Sequence, residues 1–559
     1  MAKAGPPRTA AYGLLLLLVV VAAHAAALGA GFVWDDDDYV TANAQLDDAQ
    51  GLVRIWTKLG AVPQYYPLVH TTFWVEHRLW GERPLGYHAV NVLLHAGNAL
   101  LVWTILRRLS VPGAWLAAAL FGVHPVHAES VAWIAERKNV LSGLFYLGSL
   151  LAWIAFDDAE SRTGQRERAW ARSILLFVFA LLAKTVAATL PAATLVLVWW
   201  RRGRITGKDV VPTLPYFALG AAAGLLTSWM ERFHVGASGG DWALSLPERL
   251  QVAGRACWFY LGKLLWPDPL LFIYPRWKVG TWGPGAWLWP AAAAATLVAL
   301  WLLRHRVGRG PLAAALYFGL TLGPALGFVN VYPMRFSYVA DHFQYLASLG
   351  PLALAAAGIA RLDRRVLFGL VPALLLALSA ITWRVESSYR DEETLWRRTI
   401  ARDPRVFIAQ NNLGGMLLER GRLDEAEPYL LRAIAIEPGY PEAYDNLGIV
   451  LHRRGRLDEA IERYRQALRA DPRYSFAHNN LGISLAESGR LGEAIASFRE
   501  AIRLKPDFVR AHMNLGIALY RTGDVAGASA SLREAARLDP ADPDVRGALR
   551  AVTEGGRRP

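Results

Sequence analysis

The sequence predicts an all-α protein in two parts, a polytopic helical membrane half followed by an α-solenoid. Three observations carry that prediction. Hydrophobic residues fill 54% of the 559 positions and charged residues only 19%, against about 25% charged in an average globular chain. The deficit is uneven, because apolar runs occupy residues 11–384 while residues 385–559 are dense in Arg, Glu and Asp. The second stretch also repeats itself every 34 residues.

Apolar runs of near-membrane length occur at 11–30, 88–107, 112–123, 139–156, 173–183, 187–200, 211–230, 286–303, 311–330, 345–360 and 366–384, measured against the roughly 20 residues a helical crossing needs. They predict about 11 transmembrane helices within a membrane domain at 1–384. The runs at 173–183 and 187–200 read as two short helices around Lys184 and Thr185. Their flanking clusters (Arg166, Arg168, Arg172; Arg201, Arg202, Arg204) then stay on one side of the bilayer. Residues 249–266 are interrupted by Arg255 and Lys263 and read as an interfacial helix.

Basic loops set the orientation. With Lys3 and Arg8 in the cytoplasm, the basic segments at 107–108, 157–172, 201–208, 304–309 and 361–365 all face inward, as the positive-inside rule asks. The repeat half then lies outside the cytoplasm. Ala23-His24-Ala25 fits a small-x-small cleavage site, but the apolar run exceeds the usual h-region of about 7–15 residues, so the first span is read as uncleaved. The net charge of +13 is absorbed by topology and calls for no nucleic acid. The single cysteine, Cys257, excludes an intramolecular disulfide.

In the repeat half, Leu413-Gly414, Leu447-Gly448, Leu481-Gly482 and Leu515-Gly516 recur in register with Ala426, Ala460, Ala494 and Ala528 and with Pro438, Pro472, Pro506 and Pro540. This pattern resembles the tetratricopeptide repeat, in which small residues let paired helices approach closely. Four units span 407–542, preceded by a linker at 385–406 with a degenerate helix from Trp396 to Pro404, and followed by a tail at 543–559. Asn412, Asn446, Asn480 and Asn514 stand beside the packing leucines, one per repeat. A carboxamide both donates and accepts, so this ladder either pairs with the backbone of an extended peptide or satisfies backbone groups of its own helices. The first reading resembles the asparagine ladder of protein O-linked N-acetylglucosamine transferases.

The outer loops are 31–87, 124–138, 231–285 and 331–344. The first opens with Asp35-Asp36-Asp37-Asp38 at the end of the first span. Crowded carboxylates raise one another's pKa, which a metal or a cation relieves. The second loop carries His124, His127 and Glu129, then Glu136-Arg137-Lys138-Asn139. Arg137 and Lys138 break the positive-inside pattern and suggest a bound lipid phosphate. His124, His127 and a carboxylate have the donor types of a zinc or manganese site, or else the imidazoles only hydrogen-bond within a turn. Arg335 with Asp341, His342 and Gln344 adds to the same face.

V-W-D-D at 33–36, Y-Y-P-L at 65–68, G-Y-H-x-x-N at 86–91, H-P-V-H-x-E-S-V-A-W at 124–133, A-K-T at 183–185 and D-H-F-Q-Y-L at 341–346, with repeats behind them, resemble the transmembrane and tetratricopeptide repeat-containing proteins. These are GT-C class glycosyltransferases similar to protein O-mannosyltransferases. The resemblance implies a polyprenyl-phosphate sugar donor, mannose-like, transfer to Ser or Thr hydroxyls, and inversion at the anomeric carbon. It places the catalytic carboxylates at Asp35 or Asp36 with Glu129, and the donor phosphate near Arg137, Lys138, Lys184 and Arg335. His124, His127, Asp341 and His342 become metal ligands or their supports, with Mg2+ or Mn2+ an optional substitute for a cationic side chain. The repeats would bind the acceptor polypeptide. Two other readings compete: a non-enzymatic membrane-anchored scaffold for envelope proteins, and a GT-C transferase acting on a glycan or lipid.

Overall fold

The computed structural model describes residues 6–159, 164–237, 239 and 242–555. Lys3 and part of the inner loop 157–172 lie outside the described residues. The chain divides into a first unit, Met1–Arg398, and a second, Thr399–Pro559.

The first unit is built of helices: α1 (Pro6–Ala23), α2 (Ala49–Thr57), α3 (Pro67–Trp80), α4 (Pro84–Arg108), α5 (Ala114–Val123), α6 (Ala128–Ala132), α7 (Arg137–Asp158), α8 (Gln165–Ala183), α9 (Leu190–Arg202), α10 (Gly207–Val210), α11 (Leu214–Met230), α12 (Leu246–Leu265), α13 (Leu288–Val307), α14 (Gly310–Leu322), α15 (Leu349–Ile359) and α16 (Arg364–Glu386). A helix occupies every one of the apolar runs read from the sequence. Among the described residues five helical segments are long and apolar enough to cross a membrane: Pro84–Arg108, Ile134–Asp158, Gly207–Val235, Pro284–Val307 and Arg364–Arg390. Shorter apolar helices stand at Thr9–Ala23, Ala114–Val123 and Leu349–Ile359.

The polarity of these helices is that of a membrane protein. α13 buries none of its residues and turns Leu288, Val298 and Leu302 outward, whereas α4 buries His88, Asn91, His95 and Asn98 along one stripe. Polar groups inside a bilayer must find partners. His24 Nε2 and His95 Nε2 both donate to the carbonyl of Gly122, at 2.9 and 3.1 Å. His24 Nδ1 meets Glu386 at 2.5 Å, and His95 Nδ1 accepts from Tyr345 at 2.7 Å. His24, flanked by small residues that read as a cleavage signal, is therefore a fully buried strut between α1, α5 and α16.

α17 (Glu392–Arg402) crosses the boundary between the units. The second unit holds four helix pairs: α18 (Phe407–Glu419) with α19 (Leu423–Ile436), α20 (Pro441–Arg453) with α21 (Leu457–Ala470), α22 (Ser475–Glu487) with α23 (Leu491–Leu504), and α24 (Val509–Arg521) with α25 (Val525–Leu538). The invariant spacing has a steric cause. A Cβ on Gly448 would lie 2.5 Å from the Tyr464 ring, and one on Gly482 would lie 2.6 Å from Phe498, so only glycine admits the large residue of the partner helix. The periodic alanines are fully buried at the same seams.

One expectation is corrected here. The tail at 543–559 is not without structure: its residues 543–555 form α26 (Pro543–Gly555). Val545, Ala548, Leu549 and Val552 recur at helical spacing, with both valines buried. This apolar stripe covers the open face of the last repeat, as a terminal capping helix does in a solenoid.

Candidate active site

The loop after α1 is held against the turn before α7 by one side chain. Asp36 is fully buried; its Oδ2 accepts the N–H of Val33 at 2.9 Å and its Oδ1 the N–H of Ala135 at 2.7 Å. Burial, aided by the charge of Asp35, holds the Asp36 carboxyl well above the usual carboxylate range against those two donors. Trp34, just before the pair, has a left-handed backbone with φ +53°, a conformation costing a non-glycine residue about 1–3 kcal/mol. Its ring is wedged 4.9 Å from Trp396, 5.6 Å from Phe272 and 6.1 Å from Phe336.

Asp35 stands between that strained residue and the locked Asp36. Its Oδ1 is buried with no hydrogen-bond partner in the structure. Burial pushes the carboxyl up to about 6 even though the Lys138 ammonium pulls it down, with Glu136 and Asp38 adding to the rise. Of the two adjacent carboxylates, Asp35 is the one with an oxygen to spare. Asp37 and Asp38 are exposed.

Beside Asp35 two ammonium groups share one carboxylate. Lys138 Nζ lies 2.9 Å from Glu136 Oε1, and Lys184 Nζ lies 3.1 Å from Glu136 Oε2. Lys184 also donates to Asn139 Oδ1 at 2.8 Å, while Asn139 Nδ2 donates to Glu136 at 2.6 Å and to the His342 carbonyl at 3.0 Å. Lys184 comes from the break between α8 and α9, so the two short helices read from the flanking arginines deliver it to the cluster. Neither Glu136 nor Asn139 is singled out by the sequence reading, although both sit in the quoted Glu-Arg-Lys-Asn run.

Glu129 does not point at Asp35. Its two oxygens take the backbone N–H and the ring Nδ1 of His342, both at 2.9 Å, which aims His342 Nε2 toward Glu136 Oε1 at 3.8 Å. Asp341 accepts from the Tyr274 hydroxyl at 2.9 and 3.1 Å; burial and the nearby Glu129 charge keep its carboxyl well above the usual range. Glu129 and Asp341 thus brace the cluster from behind.

Arg137 departs from the expectation of a phosphate contact. It is fully buried, and its guanidinium donates to Glu76 at 2.5 and 3.1 Å, to the Tyr87 carbonyl at 2.8 Å, to Thr72 at 3.2 Å and to Asn91 Oδ1. All five N–H donors of the group are engaged. Arg137 therefore has no donor left for a phosphate, whereas its neighbour Lys138 turns to Glu136. Arg335 lies beside Tyr332 and Phe336.

The imidazoles proposed as metal ligands are likewise engaged. His124 Nε2 donates to Leu264 O at 3.1 Å and Nδ1 accepts from Val126 N at 3.4 Å. His127 Nδ1 donates to Phe121 O at 2.7 Å while Nε2 meets Ser348 Oγ at 2.9 Å. A metal needs a free ring nitrogen, so these two residues do not fit one. Among the described residues no group of three His, Cys, Asp or Glu side chains is arranged to hold a metal ion.

In the second unit three of the four ladder amides donate across repeats, while Asn412 and Asn480 also accept from Asn411 and Asn479 of their own helices, at 3.1 and 3.2 Å. Asn446 donates to Asn411 Oδ1 at 3.0 Å, Asn480 to Asp445 at 3.0 and 3.2 Å, and Asn514 to Asn479 Oδ1 at 2.9 Å. A second row at 411, 445 and 479, absent from the sequence reading, orients the first.

Tetratricopeptide repeat models match residues 405–473, 446–507 and 479–543. The human protein O-mannosyl-transferase TMTC4 is 27% identical over 471 residues, covering 71% of this chain and 62% of its own length. Protein O-mannosyl-transferase Tmtc1 of Drosophila melanogaster is 36% identical over 176 residues, covering 29% of this chain and 20% of its own length. The chain is similar to these TMTC proteins over the stretches matched. It spans less than two thirds of the length of these TMTC relatives. A solved structure from the functional characterization of Pseudomonas aeruginosa pilF is 30% identical, covers 28% of this chain and 71% of its own, and has a TM-score of 0.26.

Proposed function

We propose that the chain is an inverting glycosyltransferase that moves mannose from a polyprenyl-phosphate donor to Ser or Thr hydroxyls of a polypeptide. The observation that carries this reading is the unpaired, buried Asp35 Oδ1 within one cluster with Lys138 and Lys184. The acceptor oxygen attacks the anomeric carbon on the face opposite the lipid phosphate and hands its proton to Asp35. As the new C–O bond forms, the bond from carbon to phosphate oxygen breaks and its electron pair leaves with the phosphate. Lys138 and Lys184 face that growing charge, and the shared Glu136 holds them together until it arrives. A positioned base contributes about 10²–10⁴ in rate, and preorganised cations stabilise the leaving group without further reorganisation.

The two ammonium groups supply the countercharge that Mg2+ or Mn2+ would otherwise bring. The membrane helices keep the lipid donor in the bilayer. Eleven crossings with a cytoplasmic N-terminus put the cluster and the repeats on the non-cytoplasmic side, where the ladder asparagines capture the acceptor chain and raise its local concentration.

The test is transfer of mannose from synthetic polyprenyl-phosphate mannose to membrane proteins extracted from a strain lacking the gene. Asp35→Asn folds as the native chain does and loses transfer. Native turnover in Asp35→Asn refutes the base assignment, and label appearing in glycan or lipid alone refutes the protein acceptor.

A further inference from the structure

Asp35 Oδ1 is not the only unmet polar atom at this place. The indole N–H of Trp133 is buried without a hydrogen-bond partner in the structure, and the residue is only 8% exposed. Its surroundings belong to the cluster. The Lys138 ammonium lies 5.7 Å from its ring centroid, the His342 ring 5.9 Å away and the Phe272 ring 4.9 Å away. Phe272 also packs on Trp34, beside Asp35. Trp133 stands two residues before Ala135, whose N–H is fixed by Asp36, so the backbone that carries the indole is pinned to the backbone that carries Asp35.

A buried donor without an acceptor is costly, and native proteins keep such groups where a ligand completes them. Indole is a donor only, so its missing partner is an acceptor oxygen. The nearby ammonium attracts an anionic acceptor. Trp133 also sits directly before the membrane-crossing segment Ile134–Asp158, at the interfacial depth that tryptophan favours and lipid headgroups occupy.

We propose that Trp133 is a donor-binding residue whose indole N–H hydrogen-bonds an oxygen of the lipid phosphate alongside Lys138. This rests on the reading of the cluster as a polyprenyl-phosphate sugar site. It assigns that site a neutral, directional contact in addition to its two charges. An ammonium attracts the phosphate from any direction, whereas one indole N–H fixes which oxygen faces inward and so orients the scissile bond.

The deciding measurement is binding of short-chain polyprenyl phosphate, without sugar, to the full chain in nanodiscs, with thermal unfolding followed in parallel. Trp133→Phe keeps an aromatic ring but removes the pyrrole half of the indole with its N–H, so the expected result is affinity weakened about tenfold, as for a lost hydrogen bond to a charged group, with cooperative unfolding retained. Trp153→Phe is the control. Trp153 also carries an unpaired buried indole N–H, but further along α7, and its loss leaves affinity unchanged. Equal affinity of Trp133→Phe and the native chain overturns the inference, as does equal weakening in both variants. If the native chain itself binds no polyprenyl phosphate, the donor reading of the cluster falls instead. Should Trp133→Phe fail to fold, Trp133→Tyr carries the same comparison, since its hydroxyl lies at a different place on the ring.

Discussion

Asp36 accepts the backbone N–H of Ala135 at 2.7 Å across 99 positions of chain. That bond joins the loop after the first helix to the turn that begins α7, and it places Asp35 beside Lys138. Removing it by Asp36→Ala strands two buried backbone donors, each worth about 1–3 kcal/mol. Thermal unfolding in detergent is expected to show a marked loss of stability, in contrast to Asp35→Asn. Equal stability of the two variants would mean that Asp36 is not the brace.

Lys138→Met and Lys184→Met each remove one of the two charges held on Glu136. Each is expected to lower kcat about a hundredfold to a thousandfold, as loss of one preorganised electrostatic contact does, and the double variant lowers it further. Steady-state kinetics with labelled donor measure this. Single variants with native kcat would move the leaving phosphate elsewhere.

Arg137→Met is a folding variant, not a phosphate variant. It leaves the Glu76 carboxylate unpaired beneath α3 and costs about 3–5 kcal/mol. Pairing it with Glu76→Gln removes the stranded charge and restores much of the stability. Urea or thermal titration of the single and double variants reads the difference. A stable Arg137→Met that binds donor weakly would return Arg137 to the phosphate site.

With Asp35 as the base, the rate is expected to depend on pH. Burial raises its carboxyl from 3.8 to about 6, and a base works only when deprotonated. Below about pH 6 transfer falls about tenfold for each pH unit, and above it the rate levels off. A log kcat profile between about pH 4.5 and 7.5 checks this, the limits being about 1.5 units either side of that midpoint. A profile flat through pH 6 would deny Asp35 the proton.

Much of this protein is legible in periodicity. The 34-residue recurrence names the repeat unit, because a glycine that faces a large ring and a fully buried alanine leave no freedom at those positions. The apolar runs mark the helices, and the basic clusters around Lys184 divide a long run into two. These are local regularities, and local regularities survive in a linear string. The closing helix at 543–555 is harder to read from the string, because a single amphipathic stripe after a repeat array lacks the recurrence that identifies its neighbours.

The site obeys a different logic. Composition and motif bring Asp35, Asp36, Arg137, Lys138, Glu129 and the histidines to attention as equals, since a charged residue in an outer loop looks the same whether it faces substrate or a partner inside the protein. Folding separates them. Asp36, Arg137, His124 and His127 spend their polar atoms on backbone or on buried partners, while Asp35, Lys138 and Lys184 gather around Glu136. Which groups remain available depends on contacts between segments 48 to 221 residues apart, and no short-range pattern records those distances. Hydrogen-bond satisfaction is a property of the assembled interior, and it sorts the chemistry that the chain only lists.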